Sequence, residues 1–170
     1  YVADREAGLC VIDISDPTSP KEVGRCEIPG GVKGWPCSVY VSGSYAYVAN
    51  GEAELHVIDI SDPTSPMVVG SCDTAHTAWD VYVSDSYAYV ADEGLCVIDV
   101  SNPSKPVIVG RCDTPGSAVS VYVSGSYVYV AADGIIIFSS SLNIPDISIS
   151  AVSYDFSEVP VGSHVDWAFT

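Results

Sequence analysis

The most constraining feature of this sequence is a set of near-identical segments that recur along the chain. The segment IDISDPTSP at residues 12–20 returns unchanged at 58–66 and returns as IDVSNPSKP at 98–106. The copies lie 46 and 40 residues apart, and the extra residues fall in Gly-rich stretches, where surface loops tolerate insertions. Self-similarity at this spacing predicts a repeat architecture, in which each unit buries its apolar surface by packing on its neighbours.

Each unit is predicted to contain four short strands that are separated by turns. In the second unit we expect strands at residues 39–41, 45–50, 55–60 and 66–73. The Ser-Gly-Ser and Asp-Pro segments between them are typical of tight turns, because Gly permits positive φ and Pro presets φ. Pro66 cannot donate a hydrogen bond to a strand ladder, so the fourth strand is expected at the outer edge of its sheet.

The strands are apolar on both faces, as in Tyr-Ala-Tyr-Val-Ala, so each small sheet needs a neighbour on both sides. Four-stranded units of about 42 residues that stack face to face are typical of β-propeller blades. We therefore predict an all-β fold of antiparallel propeller blades in an open arc. An immunoglobulin-like sandwich does not repeat a turn motif at this period, and a parallel β-helix has shorter repeats. Solenoid-like stacking without ring closure is the remaining alternative.

The composition is that of a folded and strongly acidic chain. Hydrophobic residues make up 48% of the 170 residues and charged residues 16%, which excludes global disorder. Six Lys and Arg against 22 Asp and Glu give a formal charge of −16, which excludes nucleic-acid binding by phosphate neutralisation. Because no apolar run reaches the roughly 18 residues of a membrane helix, we predict no membrane span in this sequence.

The repeated motif is similar to that of a known family. L-x-V-I-D-[IV]-S-[DN]-P-x-x-P, followed by V-G-x-C-[DE] and V-Y-V-S-x-S-Y-x-Y-V-A, resembles the LVIVD repeat of bacterial and archaeal surface proteins. The resemblance covers residues 1–142. It implies a β-propeller, an extracellular or cell-surface location, and a family without assigned catalytic residues.

The units differ in completeness. We expect a partial blade at 1–27, full blades at 38–74 and 80–114, and a degenerate last blade at 120–138. Because the chain begins without Met in the middle of a strand pattern, we expect upstream blades to be missing. Residues 143–170 are predicted to begin a second domain, since they resemble the opening strands of immunoglobulin-like domains of the ASH/Hydin type, here truncated.

Five of the six cysteines occupy two repeated strand positions. If the third and fourth strands form a hairpin around the Asp-Pro turn in the register that we expect, Cys10 faces Cys26 and Cys96 faces Cys112. Directly opposed residues of antiparallel strands have Cα separations that suit a disulfide. We therefore predict disulfides Cys10–Cys26 and Cys96–Cys112 and two free thiols. The alternative is that all six are reduced and serve as small apolar residues.

Acidic residues at the end of the third strand have two interpretations. Asp13, Asp59 and Asp99 could form a ring of carboxylates that binds a cation such as Ca²⁺, or each could accept hydrogen bonds from its own turn. We favour the second, because the residue disappears together with the turn in the last unit. His56 beside Cys72 provides only two metal ligands, so we predict no metal and no cofactor.

The candidate binding surface consists of the loops that join one blade to the next, where the units differ most. Its candidate contact residues are Trp35, Asp73, His76, Trp79 and Asp80. Exposed aromatic side chains make good contact anchors. We expect Trp35 to be exposed, whereas for Trp79 we favour packing between blades over exposure. The sequence contains no Gly-x-Ser-x-Gly, phosphate-loop or His-Glu-x-x-His motif.

These observations predict a non-catalytic binding or scaffolding module of a secreted or cell-surface prokaryotic protein. Its propeller loops would contact protein or glycan partners. Two alternatives remain open: a propeller hydrolase or lyase whose active site lies in missing sequence, and a structural stalk or surface-layer component.

Overall fold

A computed structural model describes residues 1–4, 7–28, 36–51, 54–139 and 151–154. These residues form four antiparallel sheets, called blades 1 to 4 in chain order, and the same ranges contain no helix. The prediction of an all-β fold of propeller blades in an open arc is confirmed. The described part of the chain likewise has no long apolar helix that could cross a bilayer.

Each blade is a meander of consecutive strands. Blade 1 contains β1 (Val2–Asp4), β2 (Gly8–Asp13) and β3 (Lys21–Cys26). Blade 2 contains β4 (Pro36–Ser42), β5 (Tyr45–Asn50), β6 (Glu54–Asp59) and β7 (Met67–Asp73). Blade 3 contains β8 (Asp80–Ser84), β9 (Tyr87–Ala91), β10 (Gly94–Asp99) and β11 (Val107–Asp113). Blade 4 contains β12 (Ser120–Ser124), β13 (Tyr127–Ala131), β14 (Ile135–Ser139) and β15 (Ala151–Tyr154).

The first strands of blades 2, 3 and 4 lie at the inner side of the arc. β4 packs on β8, and β8 packs on β12, so the three sheets radiate from a common centre as in a propeller. β7 lies at the opposite edge of its sheet. This confirms the outer position predicted from Pro66, which directly precedes β7.

The hydrophobic core lies between the blades. Alternate residues of each strand point to a leading face, toward the preceding blade, and a trailing face, toward the next blade. In blade 2, Val48 and Ile58 pack on blade 1 from the leading face, while Leu55 and Val57 pack on blade 3 from the trailing face. All four are fully buried. Burial of a side chain of this size stabilises the fold by about 1.5–3 kcal/mol, so stability depends on blade-to-blade stacking.

A glycine on the outer strands of blades 1 and 2 lets the next blade approach closely. A Cβ on Gly24 would lie 2.1 Å from the carbonyl oxygen of Pro63, and one on Gly70 would lie 2.3 Å from that of Pro103. Pro63 and Pro103 belong to the Asp-Pro or Asn-Pro turn of the following blade. The Val-Gly motif and this turn therefore recur together because one fits against the other.

The carboxylates before each turn bind the turn itself. Asp59 accepts a hydrogen bond from the Ser61 N–H at 2.8 Å, and Asp62 accepts one from the Thr64 N–H at 2.9 Å. Asp13 and Asp99 make the corresponding bonds in blades 1 and 3. The interpretation that these aspartates stabilise their own turns is confirmed.

The predicted opposition of Cys10 to Cys26 and of Cys96 to Cys112 is wrong. Cys10 is opposite Arg25 and Cys96 is opposite Arg111. The turn pairs Ile12 with Glu22 instead of Gly24, and a β-bulge in the outer strand then moves the pairing by one residue before it reaches Cys10. Blade 3 has the same register, with Ile98 opposite Ile108 and a bulge before Cys96. Because side chains alternate between faces, a shift of one residue places the two cysteines of each hairpin on opposite faces of the sheet.

The described cysteines are accordingly free thiols: Cys10, Cys26, Cys72, Cys96 and Cys112. The same bulge occurs in blade 2, where Cys72 is opposite Leu55 and His56 is opposite Ser71. The side chain of Cys37 lies outside the described residues.

The described residues do not support the predicted immunoglobulin-like domain after residue 143. β15 pairs with β14, with Ile135 opposite Tyr154, and it forms the fourth strand of blade 4. Residues 151–154 therefore complete the last blade instead of opening an immunoglobulin-like domain, because a three-stranded blade would leave the outer edge of β14 unpaired. Residues 155–170 lie outside the described residues.

Candidate functional site

A polar cleft lies at the end of blade 3 where β9 and β11 end and β10 begins. Its volume is about 220 Å³. Nine residues line the cleft. Six are polar, namely His76, Asp92, Glu93, Arg111, Asp113 and Thr114, and the others are Gly94, Leu95 and Cys112. His76 comes from the loop between blades 2 and 3, which is one of the loops of the predicted binding surface.

An ion pair between a buried carboxylate, Asp92, and a partly exposed arginine, Arg111, forms the base of the cleft. The Arg111 Nη1 atom lies 2.6 Å from the Asp92 carboxylate, which is only 2% exposed. The Arg111 Nη2 atom donates to the carbonyl oxygen of Thr74 in the preceding loop. Burial raises the pKa of Asp92, while the hydrogen bond from Arg111 acts in the opposite direction. Arg111 thus joins blade 3 to the loop that leaves blade 2, and it holds that loop at the cleft.

The rim of the cleft carries a second, exposed pair. The His76 Nδ1 atom lies 3.1 Å from the Glu93 carboxylate, and both side chains are more than half exposed. Glu93 has a φ of +72°, a left-handed conformation that costs a non-glycine residue about 1–3 kcal/mol. The Thr114 hydroxyl donates to the Gly116 carbonyl oxygen at 2.5 Å, and its oxygen lies 3.2 Å from the Glu93 carbonyl oxygen. Backbone strain of this kind concentrates at functional sites, so it marks Glu93 as a candidate contact residue.

Two of the sequence-predicted residues shape the loop next to the cleft. The Asp73 carboxylate accepts the Ala75 N–H at 2.7 Å, and Ala75 has a φ of +65°. The Trp79 N–H donates to the Ala91 carbonyl at 2.9 Å, which extends the β8–β9 ladder, and its side chain is 39% exposed. Trp79 is therefore partly packed and partly available for contact. Trp35 lies outside the described residues.

Asp80, the fifth predicted residue, connects three blades. Its carboxylate accepts the hydroxyl of Ser38 in blade 2 at 2.6 Å and the hydroxyl of Ser120 in blade 4 at 2.7 Å. It also accepts the N–H groups of Val81 at 2.9 Å and Val121 at 3.0 Å. Because these four donors engage both oxygens, the arrangement favours a structural role for Asp80.

The inner strands also carry a row of tyrosines that was not predicted as a feature of the fold. The ring centroids of Tyr40 and Tyr82 lie 4.5 Å apart, and those of Tyr82 and Tyr122 lie 5.2 Å apart. A hydrogen bond with Tyr82, together with burial, raises the pKa of Tyr40. The constant tyrosine of the Val-Tyr-Val segment was the available signal. It stands at the same position in blades 2, 3 and 4.

The pair Asp92 and Arg111 was likewise not predicted from the sequence. The signal was the recurrence of an Asp and an Arg at the equivalent positions of blade 1, which are Asp4 and Arg25. Two residues that recur together 21 or 19 positions apart indicate a contact across strands, but only the register shows that they share the leading face.

The chemistry of the cleft is that of recognition by hydrogen bonds and charge. Carboxylates and an arginine can bind hydroxyl, ammonium or amide groups of a partner. Burial raises the pKa of the Cys112 thiol, so it stays protonated and is a poor nucleophile. The described residues contain no cluster of three or more His, Cys, Asp or Glu side chains that could hold a metal ion.

Comparison with known proteins agrees with the repeat structure. No curated protein matches this chain. The family model described as the LVIVD repeat matches residues 1–28, 33–74, 75–114 and 115–153. Its fourth match ends inside β15, in agreement with a fourth blade that extends beyond residue 143. The matches cover most of the sequence, and the chain therefore belongs to the LVIVD-repeat family.

Proposed function

We propose that this chain is a non-catalytic binding module of a secreted or cell-surface prokaryotic protein, and that the cleft of blade 3 contacts a protein or glycan partner. The observation that carries the proposal is the combination of a fixed base, Arg111 with Asp92, and an exposed rim, His76 with Glu93. A rigid scaffold with polar groups on its loops is the usual arrangement of a recognition surface. The surface location is proposed from the family resemblance.

The size of the cleft supports a partner that inserts one group. A volume of about 220 Å³ is below the roughly 300–1,000 Å³ of sites that enclose a whole small molecule. One amino-acid side chain or one sugar ring of a larger partner matches it better. Trp79, on the adjoining loop, offers an exposed aromatic surface for the remainder of the partner.

A hydrolase or lyase is the second candidate, because carboxylates line the same cleft. Asp92 has the raised pKa that a general acid needs, and burial is the cause. Its carboxylate is, however, 2% exposed and bonded to Arg111, which favours a structural role. Binding without chemistry therefore remains the preferred proposal.

The proposal is tested with panels of immobilised glycans and of peptides, and binding is measured by biolayer interferometry. For each ligand that binds, Glu93→Gln and His76→Ala should weaken the affinity about tenfold or more, the loss expected when a charged hydrogen bond is removed. Asp85→Asn is the matched control, since Asp85 lies in the β8–β9 turn at the opposite end of the same blade. Binding that the cleft variants leave unchanged, or no binding to either panel, would contradict the proposal. Turnover of a bound glycan would favour the enzyme.

A further inference from the structure

The leading face of blade 2 carries a buried titratable side chain within an otherwise apolar contact. His56, on β6, is only 2% exposed, and it lies opposite Val48 of β5. At the equivalent positions blade 3 has Cys96 and blade 4 has Ile136, which are both buried. Blade 2 therefore places an ionisable ring where blades 3 and 4 have small or apolar side chains.

The imidazole of His56 is incompletely hydrogen-bonded. Its Nε2 atom lies 3.2 Å from the Glu54 carboxylate and 3.4 Å from the amide nitrogen of Asn50. Its Nδ1 atom and the Asn50 carbonyl oxygen are buried and have no hydrogen-bond partner among the described residues. Because Glu54 is an acceptor, the neutral ring carries its proton on Nε2 and leaves a lone pair on Nδ1. The charged ring has an N–H on both atoms, so its Nδ1–H would be buried without an acceptor, which is costly.

Two further polar side chains of blade 2 share this face with His56. Ser71 lies opposite His56 on β7, and it is exposed. Asp73 lies opposite Glu54, and its carboxylate accepts the N–H of Ala75 at 2.7 Å. The carboxylate in contact with His56 is thus that of Glu54. Because this side chain is 36% exposed, water weakens the attraction that it exerts on a charged ring.

Blade 1 covers the same face with uncharged side chains. Leu9 and Cys26 are buried, and they pack with Val48 and Ile58 of blade 2. Burial raises the pKa of the Cys26 thiol, so this group stays neutral. Glu27, the next residue along the chain, is exposed. The described residues of blade 1 therefore place no buried charge against blade 2 that would stabilise a protonated ring.

We infer that the packing of blade 1 on blade 2 requires a neutral His56, and that protonation of this ring in mildly acidic solution opens the contact. Opening exposes the apolar side chains that the two blades bury together, among them Leu9, Val48 and Ile58. The inference goes beyond the proposed binding function, because it concerns a contact between blades and does not involve the cleft of blade 3.

The direction and the size of the effect follow from proton linkage. Burial lowers the pKa of His56 from its ordinary 6.5, while Glu54 acts in the opposite direction. The opened contact restores the ordinary pKa, so opening takes up a proton and becomes more frequent as the pH falls below 6.5. Between about pH 7.5 and pH 5.5 the equilibrium constant for opening rises by up to about tenfold, and the rise is largest when the folded-state pKa lies below this range.

Two cysteines report on two blade contacts separately. Cys26 is buried between blades 1 and 2, and Cys96 is buried between blades 2 and 3. The 170-residue chain is labelled with a pyridyl disulfide at about pH 7.5 and pH 5.5, and mass spectrometry identifies each labelled thiol. Each rate is divided by the rate of the same thiol in the urea-unfolded chain at the same pH. The normalised rate of Cys26 should rise about three- to tenfold at the lower pH, and that of Cys96 should change less than about twofold. No rise at Cys26, or an equal rise at both thiols, would overturn the inference.

Two variants assign the response to the ring. His56→Ile gives blade 2 the residue type that blade 4 has at this position, so it removes the titration and keeps the site apolar. Labelling of Cys26 in this variant should then be independent of pH. Glu54→Gln is the matched second variant, because it keeps the ring and removes the carboxylate that favours its charged form. Its acid response should be at least as large as that of the parent chain. A response that persists in His56→Ile or is lost in Glu54→Gln would overturn the inference.

A measurement on the parent chain does not depend on either variant. The pKa of His56 is obtained by NMR from the pH dependence of its ring-proton shifts. The midpoint should lie below 6.5, because the contact opposes protonation. A midpoint at or above 6.5 would show that the closed contact accepts the charged ring, and it would overturn the inference.

Discussion

Replacing Asp80 by Ala tests whether one carboxylate holds three blades together. The substitution removes the acceptor for the hydroxyls of Ser38 and Ser120 and for the N–H groups of Val81 and Val121. A hydrogen bond to a charged group contributes about 1.5–3 kcal/mol net when it is buried. Asp80 is half-buried, so water replaces part of what is lost, and we expect a total loss of about 2–4 kcal/mol.

The measurement is the free energy of unfolding from urea titration, followed by far-UV circular dichroism. A domain of this size loses about 2–4 °C of melting temperature per kcal/mol, so the Asp80→Ala variant should melt roughly 5–15 °C below the parent chain. Asp85→Asn is the control for the removal of one negative charge from a strongly acidic chain. If Asp80→Ala loses no more than about 0.5 kcal/mol relative to this control, the carboxylate does not tie the blades together, and the reasoning is refuted.

Three further predictions concern the repeat contacts. Gly70→Ala should lower the free energy of unfolding by about 1–3 kcal/mol in the same titration, because the new Cβ would lie 2.3 Å from the Pro103 carbonyl oxygen; an unchanged value would show that the turn gives way freely. The pKa of Asp59 is lowered by hydrogen bonds from the Ser61 hydroxyl and N–H, and its equivalents are lowered in the same way. A folded-state pKa below the ordinary 3.8 adds stability that is present above that value and is lost as pH falls through the folded pKa values. The urea midpoint should therefore drop below pH 4, and a midpoint that stays constant down to pH 2 would contradict this account. Alkylation under denaturing conditions without reductant, followed by mass spectrometry, should label both Cys10 and Cys26; a Cys10–Cys26 crosslink would show that the bulge in blade 1 is misplaced.

Much of the fold could be predicted from the sequence because its information is local and repeated. The Asp-Pro turn, the Ser-Gly-Ser turn and the strands between them each depend on a few neighbouring residues. Recurrence of these signals predicted four strands per unit and blades that stack on one another. The role of Asp59 and its equivalents followed from their occurrence with the turn, and the structure confirms it.

The candidate site was predictable only in outline. The loop that carries His76 was identified because it differs between units, but Glu93 and Arg111 were not. They lie 17 and 35 residues further along the chain than His76, and they meet it only through the pairing of β9, β10 and β11. A periodic sequence pattern does not indicate this contact, because the contact depends on the register of strands that are distant in sequence.

The cysteines and the last strand show what local patterns leave open. One bulge residue in each hairpin moves Cys10 and Cys26 to opposite faces, since a shift of one residue exchanges the two faces of a strand. β15 follows residues 140–150 in the sequence and pairs with β14, whose outer edge would otherwise lack hydrogen-bond partners. Local chemistry thus specifies the strands and the turns of this chain. The register between strands determines which residues come into contact, and that register depends on how side chains pack between blades.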